Sequence, residues 1–188
     1  MLLELVKKCR TARSFNPENP IPEQDLIKLV DAARISASAR NLQRIRYAIL
    51  TGGEADSIYG KAIFGGALKP EDKPTYADRA PAYIAMLAPE GENDSNLFID
   101  VGIASEVIML TACEMGYSGC ILRSYDPKFL QELVGAEGYS PVCLIALGKS
   151  GEIAEIVDIV PGDNVSYYRE DGKHFVPKYT LDTVLIKK

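Results

Sequence analysis

The chain has 188 residues, 47% of them hydrophobic, and a formal net charge of -5. This length suits one substantial core, and the apolar content excludes a disordered chain. The negative charge argues against a general nucleic-acid binder, because affinity for a duplex depends on neutralising its phosphates.

The N-terminus and the cysteines indicate the cellular compartment in which we expect the protein. The first charges follow the first apolar residues, which is the reverse of a secretory signal, and no uninterrupted apolar run reaches the ~18 residues that span a bilayer. The four cysteines, at 9, 113, 120 and 143, form no CxxC pair and no metal-ligand spacing. We therefore expect a reduced, cytoplasmic protein with no metal site and no membrane partner.

Apolar periodicity and Gly/Pro punctuation predict the elements in chain order. The pattern predicts helices over 2–9, from Pro22 to the break at 35–41, over 95–116 and over 127–134, and strands over 47–51, 83–87, 118–122, 142–147 and 183–186. Gly52–Gly53 should end the first strand, and 60–81 should form an irregular loop. Residues 149–188 show no amphipathic helix, so we expect an extended tail that lies on its own body or on a second subunit.

Positive charge is concentrated at the start of the chain. Residues 1–50 carry nine Lys or Arg and five Asp or Glu, although the whole chain is acidic. Within KKCRTARSF (7–15), Arg10 and Arg13 offer forked guanidinium donors and Thr11 offers a hydroxyl. The chain contains neither GxxxxGK[ST] nor GxGxxG, so a Walker loop and a Rossmann dinucleotide site have no support. This segment, Arg10–Arg13, is called the first basic segment below, and it suits one small anion; chance clustering of surface charge is the alternative.

Four segments in the right order resemble the FMN-dependent nitroreductase family. CRTARSF (9–15) is similar to its opening Arg-Arg-Ser-x-Arg-x-Phe/Tyr motif, and ASARNLQRIRYAIL (37–50) is similar to Pro-Ser-x-x-Asn-x-Gln-Pro-Trp-x-Phe. DVGIASEVIMLTACEMGYSGCIL (100–122) resembles the central helix of the family, and HFVPKYTLDTVL (174–185) resembles its C-terminal end.

The resemblance implies a set of FMN contacts. The first block would hold the phosphate and ribityl chain, the second would reach under the flavin from the partner subunit, the strand after Gly119 would lie along the ring, and a terminal cation would close on the phosphate. The implied residues are Arg10, Thr11, Arg13, Ser38, Ala39, Asn41, Gln43, Ile121, Arg123, Ser124 and Lys178.

The chain also departs from the family pattern. The first Arg of the opening motif is Cys9, the Pro-Trp pair is Arg44-Ile45, and a frequent C-terminal cation is Tyr179. Arg123 stands at a ring-facing position that varies among relatives, which favours a contact with an anionic substrate or with the phosphate of a nicotinamide cofactor; a surface ion pair is the alternative. His174, the single histidine, is expected to be structural rather than catalytic.

The resemblance implies an α+β fold with a mixed, mostly antiparallel sheet flanked by helices, as a single domain over 1–188 whose tail (149–188) is exchanged with the partner subunit of a homodimer. It implies ping-pong hydride transfer from NADH or NADPH through FMN to a nitroaromatic, quinone or similar small electron-poor acceptor. No side-chain nucleophile or metal is required, because the cofactor carries the chemistry. Two alternatives remain: other flavin chemistry on the same scaffold (flavin breakdown, dehalogenation or dehydrogenation), and a non-catalytic flavin-binding or sensing module.

Overall fold

The computed structural model describes residues 1–65 and 68–187. Its helices are α1 (Leu2–Lys8), α2 (Glu23–Arg34), α3 (Gly52–Ile58), α4 (Ser95–Glu114), α5 (Pro127–Val134) and α6 (Leu181–Val184). Its strands are β1 (Arg46–Thr51), β2 (Ala82–Pro89), β3 (Ser118–Leu122), β4 (Tyr139–Gly148), β5 (Ile153–Ile159), β6 (Tyr168–Glu170) and β7 (Lys173–Tyr179).

The central sheet is antiparallel and has the order β1-β2-β4-β3. Its middle strands are continuous apolar runs, AYIAMLA and VCLIALG, which suit burial on both faces. Alternate residues of β2 face opposite sides: Ile84 and Met86 join the core that includes α2 and α4, whereas Tyr83 and Leu87 join the core that includes α3 and α5. The predicted α+β class with an antiparallel sheet between helices is confirmed.

Helix α4 lies in the first of these cores. The side chain of Asp94 caps its N-terminus by accepting hydrogen bonds from the backbone N–H groups of Asn96 and Leu97. By length and composition alone the helix could cross a membrane, but half of the relevant window is buried inside the fold. It therefore resembles the core helix of a soluble protein.

The C-terminal tail forms a second sheet, which the sequence pattern does not predict. Its order is β5-β7-β6, with β5 and β7 parallel and β6 and β7 antiparallel. The strand predicted over 183–186 is wrong. The carbonyl of Thr180 accepts hydrogen bonds from the N–H groups of Thr183 and Val184, so the segment closes a helical turn.

The sequence pattern does not predict one further helix, α3. Gly52 and Gly53 end β1 as predicted, but α3 begins at the same glycines. Gly52 has a φ of +54°, a left-handed conformation that glycine adopts without strain. The chain turns there, and Ala55 and Ile58 become buried. The predicted irregular loop holds two short 3-10 turns, Pro70–Asp72 and Tyr76–Asp78.

Candidate functional site

The first basic segment lies along the open edge of the central sheet. Thr11 forms a parallel bridge with Gly119 in β3, and the N–H of Ala12 donates to the carbonyl of Gly119 at 2.9 Å. A Cβ at Gly119 would stand 2.6 Å from Sδ of Met109 and 3.1 Å from the carbonyl oxygen of Ala146. The absence of a side chain at Gly119 therefore lets α4 and β4 pack closely on this strand. Two of the four predicted blocks are neighbours in space.

The side chains of Arg10 and Arg13 keep free donors. Nη2 of Arg10 donates to the carbonyl of Val6 at 2.5 Å. The Nε atoms of Arg10 and Arg13 are both buried and have no hydrogen-bond partner within the described residues. In the same part of the chain, no carboxylate forms an ion pair with either guanidinium. Buried guanidinium donors of this kind fit an oxyanion such as a phosphate.

Cys9 does not supply the cation that the family motif has at its position. Its thiol donates to the carbonyl of Met109 at 3.4 Å. Burial, followed by the neighbouring Cys113, raises the pKa of Cys9 to about 11. The group is therefore an uncharged thiol at neutral pH.

The tail closes over Arg13 of the same chain. The backbone N–H groups of Arg13 and Ser14 donate to one carboxylate oxygen of Glu152, at 2.6 and 3.1 Å. The guanidinium of Arg13 lies 4.4 Å from the ring centre of Tyr167, and its Nη1 lies 3.4 Å from Nε2 of His174. Among the described residues, the side-chain partners of this guanidinium are therefore two rings and no carboxylate.

His174 is buried, at 4% exposure. Burial and the nearby charge of Arg13 lower the pKa of His174 below its ordinary value. The neutral imidazole can then accept a hydrogen bond from Arg13 through Nε2. The expectation of a structural histidine is consistent with this position.

Lys178, the predicted phosphate cation, occupies a different part of β7. It is exposed and stands opposite Asp158 in β5. It shares a strand face with His174, about 13 Å further along at the usual rise per residue. The C-terminal strand thus contacts Arg13 through His174, a residue that the sequence reasoning assigned no ligand role.

The residues predicted to lie along the flavin ring are at the surface. Ile121 is 42% exposed although it belongs to β3. The guanidinium carbon of Arg123 lies 4.9 Å from the ring centre of Phe98 on α4. The carbonyl of Ser124 accepts a hydrogen bond from the N–H of Ile63 at 2.8 Å. All three residues are exposed, so a ligand or a second subunit can reach them.

Within the second predicted block, 37–50, the residues 38–43 that hold its predicted flavin contacts form a strained turn. Arg40, Asn41 and Gln43 have φ values of 52°, 55° and 49°, which non-glycine residues rarely adopt. Oγ of Ser38 accepts from the N–H of Gln43 at 3.3 Å, and the N–H of Ala39 donates to Oδ1 of Asp100 at 2.8 Å. Strain of this kind persists where the surroundings hold it, and it clusters at functional sites.

Arg44 provides much of that support. Its side chain is 11% exposed and pairs with three carboxylates: Glu92 at 3.2 Å, Asp94, and Asp100, whose Oδ2 lies 3.6 Å from Nη2. Hydrogen bonds to Asp94 and Glu92 raise the pKa of Arg44. Sequence reasoning noted Arg44 only as a departure from Pro. The acidic run ENDSNLFID (92–100) was the sequence signal that a nearby cation would form ion pairs.

A groove of about 350 Å³ opens beside this turn, between α2 and α4. The residues around it are Val30, Ala33, Arg34, Ser36, Ala37, Ser38, Gln43, Arg44, Ile45, Arg46, Tyr47, Asp100 and Ala104.

The turn and the first basic segment meet α4 at different levels. Asp100 holds the turn, whereas Met109, about 14 Å further along the helix axis, contacts Cys9, the residue just before the first basic segment. Within the described residues, the second block and the first basic segment therefore lie near different parts of α4, about 14 Å apart along the helix axis.

Comparison with known proteins identifies the family pattern independently. Residues 6–149 match the model of the Nitroreductase family. The chain is 23% identical to a Bacillus subtilis (strain 168) protein named "Putative NAD(P)H nitroreductase YdgI", over 89% of this chain and 97% of that protein.

Solved structures share the fold. An FMN-dependent nitroreductase from Clostridium difficile R20291 superposes with a TM-score of 0.63 at 22% identity, covering 81% of this chain and 90% of that one. The FMN-dependent nitroreductase NfnB from Mycobacterium smegmatis, solved in complex with NADPH, gives a TM-score of 0.64 at 16% identity, over 80% and 87%.

Proposed function

The chain belongs to the nitroreductase family, and on that premise we propose that it is a cytoplasmic FMN-dependent oxidoreductase. NADH or NADPH would supply a hydride, and a nitroaromatic, quinone or similar electron-poor molecule would then take two electrons in a ping-pong sequence. One observation carries the proposal. The Thr11–Gly119 bridge brings Arg10 and Arg13, whose buried Nε donors have no partner among the described residues, beside the strand that bears Ile121.

These residues fit the groups of FMN. Its phosphate is an oxyanion, for which Arg10, Thr11 and Arg13 provide charged and hydroxyl donors. Lys178 is the proposed fourth contact, and it would have to approach from its position along β7. When bound, FMN would supply the hydride-accepting and electron-donating chemistry, which no amino-acid side chain provides.

The chain's own residues would bind and tune the cofactor. The guanidinium of Arg13 has ring partners and no carboxylate partner within the described residues, so its charge is free to stabilise an anionic reduced flavin. Ile121 offers an apolar surface beside the ring, with Arg123 and Ser124 following it. Arg123 is also the proposed contact for an anionic substrate or the nicotinamide cofactor's phosphate.

We propose a homodimer, in which Ser38, Ala39, Asn41 and Gln43 reach the flavin of the partner. The separation along α4 supports this arrangement, because the turn and the first basic segment of one chain lie at different levels. Exposed apolar side chains at Leu42 (53%), Phe98 (38%) and Ile99 (58%) give the turn and α4 a surface for a second copy. The predicted exchange of the tail remains a proposal; here the tail contacts the first basic segment of its own chain.

The test begins with the purified protein. A flavin absorption spectrum, as isolated or after FMN is added and the excess removed, supports the binding site. Anaerobic NADH or NADPH should then bleach that spectrum, and a nitroaromatic or quinone should restore it. A spectrum that persists with both nucleotides would identify a binder or a different flavin reaction. Failure to retain FMN would overturn the proposal.

Variants of the first basic segment test whether FMN binds there. Arg10→Ala and Arg13→Ala should each weaken FMN binding about 10- to 100-fold, because a charge-assisted hydrogen bond contributes roughly 1.5–3 kcal/mol. Lys28→Ala is the matched control, since Lys28 is an exposed cation on α2 that pairs only with Asp25 in the part of the chain described. Equal affinities for all three variants would place the flavin elsewhere.

A further inference from the structure

One carboxylate of the tail holds the first basic segment and the residue after it. An oxygen of Glu152 accepts hydrogen bonds from the backbone N–H groups of Arg13 and Ser14, at 2.6 and 3.1 Å, and the other oxygen pairs with Arg169 in β6. Two successive N–H groups that point at one oxygen form an anion-binding arrangement, and here the anion belongs to the chain itself. Glu152 therefore fastens the tail sheet to the segment that we propose as the phosphate site.

The contacts of the tail determine which donors Arg13 presents. A guanidinium binds an oxyanion most specifically through two parallel donors, either Nε with Nη2 or Nη1 with Nη2. In Arg13, Nε is buried, and Nη1 lies 3.4 Å from Nε2 of His174. The ring of Tyr167 covers one face of the same guanidinium, with the ring centre 4.4 Å away. While the tail is in place, neither donor pair of Arg13 is open to a phosphate.

Arg13 itself is fixed to the body of the protein. The N–H of its neighbour Ala12 donates to the carbonyl of Gly119 in β3 at 2.9 Å. A Cβ at Gly65 would stand 3.0 Å from Cδ of Arg13, so the backbone of the loop packs against the stem of this side chain. The simplest way to uncover the guanidinium is therefore to move the tail.

The tail can leave the body with little loss of burial. Among the described residues, no strand of the sheet β5-β7-β6 pairs with the central sheet. Of residues 151–187, all of which the structure describes, His174 alone is buried. Apolar burial is the main contribution that stabilises a fold, so the contacts of the tail should open more readily than those of the central sheet.

We propose that the tail sheet is a cover over Arg13, latched by Glu152, and that it opens to admit an oxyanion to this guanidinium. The inference rests on the proposed function, in which the oxyanion is the phosphate of FMN. The contacts of Arg13 with the tail and its paired contacts with a phosphate exclude each other. By linkage, releasing the latch strengthens binding of the anion, and a bound anion loosens the tail.

Titration of the flavin-free protein with FMN, followed by flavin fluorescence, tests this linkage. Glu152→Ala should bind FMN about 5- to 100-fold more tightly than the parent, because the closed state loses two charge-assisted hydrogen bonds. Glu152→Gln removes the same charge but retains an acceptor oxygen, so its affinity should lie closer to that of the parent. Equal gains for both variants would indicate repulsion by the carboxylate and no latch, and would overturn the proposal.

Two further variants separate the cover from a general effect on the tail. Glu155→Ala is the matched control, since Glu155 is a carboxylate of the same strand that pairs with Lys173 inside the tail sheet. It should leave the FMN affinity unchanged. Tyr167→Ala removes the ring from the guanidinium and should strengthen binding about 2- to 5-fold. Unchanged or weaker binding in both Glu152→Ala and Tyr167→Ala would contradict a cover.

The single histidine reports the position of the tail without any flavin. Burial and the charge of Arg13 lower the pKa of His174, whereas the charge of Glu152 raises it. If Glu152→Ala opens the cover, the pKa of His174, followed by NMR, should rise towards its ordinary value of 6.5. If the tail stayed in place, loss of the Glu152 charge would lower this pKa further, and that result would overturn the proposal.

The failure of the proposed function and the failure of this inference remain distinguishable. A protein that retains no FMN would overturn the proposed function alone. The same titrations with inorganic phosphate, whose binding needs the same donor pairs of Arg13, would then decide the inference together with the NMR signal of His174. Phosphate affinity that is equal in the parent, Glu152→Ala and Tyr167→Ala would overturn it.

Discussion

The two sheets of the molecule contrast in how they are held. In the central sheet, β2 is buried over seven of its eight residues and β4 over its last six, with apolar cores on both faces. In the tail sheet, β5 alternates between half-buried and exposed residues and β6 is exposed throughout. The first sheet is stabilised by burial, whereas the second is joined to the body of the protein by contacts that include those with Arg13 and Ser14. The difference shows which parts of the fold can change without unfolding the whole.

Leu144→Ala should produce the largest loss. Leu144 is fully buried in β4, opposite Ala85 and Leu122. Truncation of such a side chain leaves a cavity and lowers the free energy of unfolding by about 2–5 kcal/mol. Ile156→Ala in β5, where 41% of the residue is exposed, is the control and should lose about 1 kcal/mol or less. Urea unfolding measures both, and equal losses would contradict the contrast.

Glu152→Ala should release the tail while the central sheet stays folded. The N–H groups of Arg13 and Ser14 would lose their acceptor, and Arg169 would lose its ion pair. We expect the free energy of opening the tail sheet to fall by about 1–3 kcal/mol. The measurement is hydrogen exchange, which should become faster in β5–β7. Glu152→Gln retains an acceptor oxygen and should lose less. Exchange that accelerates equally in β2 would show that the two sheets are not separable.

Lowering the pH should weaken the contact between the tail and Arg13, but by less than Glu152→Ala does. Because burial and Arg13 lower the pKa of His174 in the folded chain, the unfolded chain binds the proton first. The stability that the neutral His174 contributes is therefore fully present at pH values above its ordinary pKa of 6.5, and it is lost as the pH falls below that value. The charges that act on His174 are Arg13, Arg169, Glu152 and Asp72.

His174→Gln provides the control for this pH effect. Glutamine keeps an acceptor for Arg13 and does not titrate, so tail exchange should become less dependent on pH between 7 and about 5. The measurement is hydrogen exchange of β7 as a function of pH, corrected for the intrinsic rate. An unchanged pH profile in the variant would assign the effect to another group.

Lys173→Ala should have the smallest effect. Lys173 pairs with Glu155 across β5 and β7 at 2.6 Å, but both side chains are more than 40% exposed. Exposed pairs contribute about 0–1 kcal/mol, and salt screens them. Stability measured at low and high salt should therefore barely differ between this variant and the parent. A loss comparable to that of Glu152→Ala would mean that the tail is held along its whole length.

The sequence predicted the parts of the fold that depend on apolar runs. The strands around Ile84 and Leu144 and the helix from Ser95 were predicted because burial leaves a continuous pattern. The tail strands were missed because their apolar and polar residues alternate irregularly, and Ile156 and Val157 stand side by side. α3 was missed because two glycines normally mark a turn, and only burial of Ala55 and Ile58 makes them begin a helix.

The candidate site was predictable to the extent that a motif carries it. Arg10, Thr11 and Arg13 were named from their side-chain chemistry and from the family resemblance. The contacts of Arg13 with Glu152 and His174 join residues 139 and 161 positions apart, and no local pattern encodes such pairs. The same holds for Arg44 and Asp100, whose partnership depends on how the turn packs on α4.

The bridge between Thr11 and Gly119 has a consequence for solubility. β3 ends the central sheet, and an uncovered outer strand presents unpaired N–H and C=O groups that can recruit strands from other molecules. The first basic segment covers the beginning of this strand with backbone hydrogen bonds and places cations beside it. The arginines that we assign to an anion therefore also act as gatekeepers against aggregation, and a protein shortened at its start would lose both protections together.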